Sequence, residues 1–75
     1  MGECVIPMRS GTEAEKGRRL ARTRRINTTT VSVDPTLTKN GCTVGLRVAC
    51  GEVYRLSNLL DDNNIPHGEI IGRRI

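Results

Sequence analysis

From Cys42 to Cys50 the chain alternates residue by residue: Cys42, Val44, Leu46, Val48 and Cys50 fall on one side, and Thr43, Gly45, Arg47 and Ala49 on the other. A period of two marks a strand with one covered face, so the first set is expected to meet the core and the second a more open surface. Thr28 to Val33 repeats the pattern in β-branched residues, with Val31 and Val33 opposite Thr30 and Ser32, until Asp34-Pro35 stops it. Cys4-Val5-Ile6-Pro7-Met8 is a third strand-length apolar run. Pro7 has no N–H to give, so this strand is an edge or its ladder is interrupted there. Gly68 to Ile75 closes the chain as a strand around Ile70 and Ile71.

Two stretches change to the helical period. Thr12 stands three residues before Glu15, the spacing of a capping box, and starts a helix running to about Arg25. Its stripe of Ala14, Gly17, Leu20, Ala21 and Arg24 is thin, and Asn27 ends it. Gly51 opens a second helix through about Asn63, with Val53, Leu56, Leu59 and Leu60 as its buried stripe. Asn63-Asn64 supplies a left-handed stop, and Pro66 forbids continuation. The halves echo each other: strand, Gly11, helix, Ile26, turn, Val31 recurs as strand, Gly51, helix, Ile65, turn, Ile70. Two such units give β-α-β-β-α-β, an α+β ferredoxin-like sandwich with a four-stranded antiparallel sheet and two helices on one face.

Composition narrows the picture. The chain has 75 residues, no Trp or Phe and one Tyr, so it is a single small domain whose core is aliphatic. Three cysteines without C-x-x-C spacing do not make a disulfide framework, and the expected setting is a reducing cytoplasm, with Cys4 a core thiol and Cys50 either core or the residue preceding the second helix. Zinc is not expected of Cys4, Cys42, Cys50 and His67, since no pair has knuckle spacing, and no cofactor is implied. No apolar run approaches the roughly 20 residues that span a bilayer.

The candidate chemistry centres on Cys42. It follows Gly41 where the polar loop Asp34–Asn40 runs into a strand, a place a partner can reach. Lys39 and the loop amides are suited to holding a thiolate; Arg47, five residues on, falls on the other face of a regular strand. The loop has one apolar residue, Leu37, and is expected to be the most mobile interior segment.

The order strand, Ser-Gly-Thr-Glu-Ala-Glu-Lys helix, apolar strand, proline loop, Gly-Cys, Val-Gly-Leu-Arg-Val resembles a family of small proteins of unknown function described as selenium/sulfur carrier-like. The matching positions are Pro35, Gly41-Cys42, Leu46-Arg47 and Asn63-Asn64-Ile65, and the likeness spans about Val5 to Gly72. Thr43 departs from it, since members often carry Gly directly after the cysteine; so do Cys50 and the basic first helix. The resemblance implies an accessory protein whose Cys42 accepts sulfur or selenium as a persulfide-type adduct for a partner enzyme, with Lys39, Gly41 and Arg47 around it and no turnover chemistry of its own.

A second feature points elsewhere. Lys16, Arg18, Arg19, Arg22, Arg24 and Arg25 are half of the 12 Lys and Arg and dominate a net charge of +4. Arg18, Arg22 and Arg25 share one helix side with Arg19 nearby, an anion-binding stripe for nucleic acid or an acidic protein. Such contacts would be nonspecific, since the chain lacks the sheet aromatics on which RNA-recognition domains stack bases. The uncovered sheet face offers a homodimer surface. His67 reads as a turn residue, and nothing in the sequence argues for a hydrolase.

Overall fold

The computed structural model describes residues 2–34, 36 and 43–73. Its elements run β1 (Glu3–Met8), α1 (Gly11–Thr23), β2 (Thr28–Ser32), β3 (Val44–Ala49), α2 (Val53–Asp62) and β4 (Ile71–Arg73). The strands form one antiparallel sheet in the order β2-β3-β1-β4, the arrangement of a ferredoxin-like α+β sandwich. Both helices share a single core with the sheet: Ile6, Met8, Leu46 and Val48 meet Ala14 and Ala21 of α1 and Val53, Leu56 and Leu60 of α2. Among the described residues no helix is long and apolar enough to cross a membrane.

The β1–β3 register pairs Cys4 with Val48, Ile6 with Leu46 and Met8 with Val44. These are the helix-facing pairs, so the alternation in β3 divides the faces as its sequence predicts. Pro7 sits in an interior strand, with its ladder interrupted. β4 pairs with β1 only from Glu3 to Val5, and at Pro7 the carbonyl accepts from Gly68 N–H at 2.8 Å. The missing N–H thus faces the side where β4 has already ended.

The other face is less open than its sequence suggests. Gly45 is buried rather than exposed, and Val5 and Val33 crowd it: a Cβ at position 45 would lie 2.8 Å from Val5 Cγ1 and 2.9 Å from Val33 Cγ2. Val33 lies just beyond β2, its N–H donating to Thr43 carbonyl at 2.9 Å. Arg47 and Ala49 are exposed as expected.

Helix boundaries shift from those read in the sequence. The cap of α1 is Ser10, not Thr12: Ser10 is extended (φ −155°) and its hydroxyl accepts from Glu13 N–H at 3.2 Å. Thr12 therefore already lies inside the first turn. The helix stops at Thr23, and the left-handed residue that stops it is Arg25 (φ 59°), not Asn27. Ile26 N–H donates to Ala21 carbonyl and Arg25 N–H to Arg22 carbonyl, a Schellman closure. α2 starts at Val53, two residues after Gly51, and ends the same way with Asn64 at φ 57°. Ile65 N–H donates there to Leu60 carbonyl and Asn64 N–H to Asp61 carbonyl. The Ile26–Ile65 echo is thus two copies of one stop signal, each isoleucine buried just past its helix. β4 is shorter than the predicted terminal strand, and its partner stretch begins with an isolated Met8–His67 bridge.

Two substitutions test these placements. Gly45→Ala forces a methyl against Val5, Val33 and the Ile6 carbonyl, and should lower stability by ~2 kcal/mol in a urea titration. Arg25→Gly relieves a side chain from the left-handed region, and should raise stability by ~1 kcal/mol in the same assay.

Candidate functional site

The cysteines are not arranged as the sequence suggests. Cys4 and Cys50 are joined in a disulfide with their Cα atoms 5.0 Å apart, so neither is a free core thiol. The register explains the bond. Cys4 faces Val48 on the helix side, and Cys50 follows two residues later on the same side, its N–H donating to Gly2 carbonyl at 3.1 Å. The partners lie 46 residues apart in sequence, so only the fold of the sheet brings them together. Closing a loop of that length removes denatured-state entropy worth ~4 kcal/mol, a large share of what a domain this small can muster.

The bond leaves one of the chain's three cysteines, Cys42, without an intrachain disulfide partner. Cys42, Gly41 and Lys39 lie outside the described residues, as do Pro35 and residues 37–40 of the Asp34–Asn40 loop whose mobility the sequence suggests. What is described is the frame at its two ends. Asp34 carboxylate accepts from both the Thr36 N–H (3.0 Å) and the Thr36 hydroxyl (2.9 Å). These bonds, the backbone one first, hold the Asp34 carboxyl below its ordinary range. At the other end Thr43 is exposed and tied to Val33.

Arg47 does not belong to this end. It lies four residues up β3 from Thr43, about 13 Å at strand rise, and its Nε donates across the sheet to Glu3 Oε2 at 2.8 Å. That pair is exposed on both sides, so its contribution to stability is small.

Of the four arginines singled out in the sequence, three converge, Arg18 and Arg22 from α1 and Arg25 from just past its end. Arg18, Arg22 and Arg25 line a shallow groove of about 350 Å³ together with Ile26, Asn27 and Thr28. Arg19 is exposed outside it. Arg18 also grips Glu15 through Nε (3.3 Å) and Nη2 (3.1 Å). This hydrogen-bonded contact holds the Glu15 carboxyl below its ordinary value against some desolvation, and the charges of Arg18, Arg19 and Arg22 add to it. Among the described residues, none forms an ion pair with Arg22 or Arg25. On the other flank of Ile26 a second groove is lined by Arg24, Arg55, Asn58, Leu59 and Asp62. Arg55 escapes a sequence reading because it belongs to α2, and only the packing of the helices puts it beside Arg24.

The fold also assembles a cluster that the sequence conceals. His67 Nε2 lies 3.5 Å from Ser57 Oγ and 3.0 Å from Asp61 Oδ1, while Nδ1 faces the Gly68 carbonyl at 2.8 Å. A carbonyl only accepts, so Nδ1 carries the proton and donates. Nε2 then accepts from Ser57 or, when protonated, donates to Asp61. A hydrolytic triad needs the carboxylate on the nitrogen opposite the serine, whereas both groups here share one nitrogen. The cluster ties the last turn of α2 to the segment bridged to Met8. It is a structural clamp.

Compared with known proteins, the chain matches no family model, no curated protein and no solved structure.

Native alkylation read by intact mass should add one label to the oxidised protein, at Cys42, and three after reduction and unfolding. Removing the bond with Cys4→Ser/Cys50→Ser should cost ~4 kcal/mol and lower the thermal midpoint by roughly 15–30 °C.

Proposed function

We propose that this protein is a small sulfur or selenium carrier, with Cys42 holding the cargo for a partner enzyme. The observation that carries the reading is the pairing of Cys4 with Cys50, which leaves Cys42 as the cysteine with no intrachain disulfide partner. A leftover cysteine is a candidate reactive thiol or intermolecular partner, and this one stands in the Gly-Cys and Leu-Arg tract through which the chain resembles the carrier-like family.

The step is a thiol exchange. The Cys42 thiolate attacks the terminal sulfur of a donor persulfide, a new S–S bond forms on Cys42, and the donor departs as its own thiolate. Nothing is oxidised or reduced overall. Delivery repeats the exchange in the other direction, an acceptor taking the terminal sulfur and returning Cys42 to thiolate; a selenium atom in the terminal position follows the same balance. Lys39 and the backbone N–H groups beside Gly41 are the groups assigned to stabilise the thiolate. The protein alone turns nothing over, and its partners are a donor and an acceptor enzyme.

A cytoplasmic setting suits persulfide traffic, though cytosolic thiols would keep Cys4 and Cys50 under reductive pressure.

The test is incubation of the oxidised protein with a persulfide donor, followed by intact mass before and after mild reduction. The parent should gain 1 sulfur (about 32 Da, the mass of a persulfide's added atom), and Cys42→Ala should gain none. An equal gain by Cys42→Ala would move the adduct to Cys4 or Cys50 and end the assignment.

A further inference from the structure

The groove at the end of α1 is independent of the thiol and has a chemistry of its own. Three guanidinium groups, Arg18, Arg22 and Arg25, line it, and two of them are committed to no carboxylate among the described residues. Asn27 is exposed beside them, while the Thr28 hydroxyl is already spent on the Arg47 carbonyl at 2.7 Å. Around the corner Arg24 and Arg55 line the second groove, which shares Ile26 with the first. Arg55 there is paired with Glu52 at 2.7 Å and Asp62 lines the same groove, so the excess of positive charge lies in the band of Arg18, Arg22 and Arg25, with Arg24 beside it.

We propose that this band binds the phosphate backbone of nucleic acid, without reading its sequence, and a flexible single strand is the probe of that contact. Arginine is the side chain suited to bidentate phosphate contact, and every basic residue lining the grooves is arginine. An acidic protein partner fits less well. Protein interfaces draw their energy from buried aromatic or aliphatic anchors, and the apolar residue common to both grooves, Ile26, is only 4% exposed and already spent on the core. Backbone contact needs no such anchor, because the release of condensed counterions drives it. Base stacking is not offered by this surface: the one exposed aromatic ring among the described residues, Tyr54, lines neither groove.

The test is fluorescence anisotropy of a labelled oligothymidylate of about 20 nucleotides with the full, oxidised chain. Three phosphate contacts predict that affinity falls on the order of 20-fold between about 50 and about 200 mM salt. Arg18→Gln/Arg22→Gln/Arg25→Asn, with asparagine at the left-handed position, should flatten the salt slope by about 2 units. Arg22→Gln alone, at an exposed helix position that leaves folding untouched, should flatten it by about 0.7. Arg47→Gln, on the sheet and already paired with Glu3, should leave it unchanged. The proposal is overturned if the parent shows no binding at the lower salt, or if Arg22→Gln keeps the parental slope. It is overturned equally if polyglutamate of matched length displaces the oligonucleotide at the same charge concentration, which would assign the band to acidic proteins. Loss of binding in Cys42→Ala would also count against it, since the band and the thiol are separate.

Discussion

The register of the central β1–β3 pair is the constraint on which the remaining structure hangs. With Cys4 opposite Val48 and Ile6 opposite Leu46, the helix side of the sheet receives the large aliphatic residues of both strands. A slip of one residue would reverse every side chain of β1. Val5 and Pro7 would then face the helices, Ile6 and Met8 the outer side, and Cys4 would leave the face that carries Cys50. A core without Trp or Phe has no single large residue to fix that alignment, so precise pairing and the covalent bond share the task. Gly45 fixes it from the other side, since only a position without Cβ admits Val5 and Val33 together.

The helices are held to this sheet by repeated devices. Gly17 lets α1 approach closely: a Cβ there would lie 2.7 Å from Leu46 Cδ1 and 3.0 Å from Leu60 Cδ2. Each helix ends in the same closure, yet the left-handed position is occupied by Asn64 in one case and Arg25 in the other. Asparagine tolerates that conformation; arginine bears a cost of roughly 1 kcal/mol. The strained residue is also one of the three arginines lining the first groove.

What the sequence discloses and what it hides divide along contact range. Alternation in β3, the stripe of α2, the Asn64 stop and the echo of the two halves are local patterns, and they suffice for the fold. The capping residue of α1 is hidden because Ser10 and Thr12 both offer a hydroxyl three residues before a glutamate, and only the point where β1 bends away chooses between them. The Cys4–Cys50 bond, the Arg24–Arg55 neighbourhood and the Ser57–His67 contact are invisible for a different reason. Each joins residues from separate elements, and no spacing rule within one element records them. An odd cysteine count argues against a framework of bridges, but it is silent about a single one.

The topology also separates the two chemistries. Thr28 pairs with Val48 at one end of the β2–β3 ladder, and Val33 meets Thr43 at the other. The arginine groove borders Thr28, whereas Thr43 is the chain neighbour of Cys42, so the two lie at opposite ends of the same strands, about 17 Å apart at strand rise. The Cys4–Cys50 bond is at the groove's end, with Cys50 seven residues beyond Thr43, or about 23 Å along β3. A thiolate attacks a disulfide only on contact with its sulfur. Thr43, the residue that follows Cys42 in the chain, is thus held at the end of the ladder remote from the structural bond.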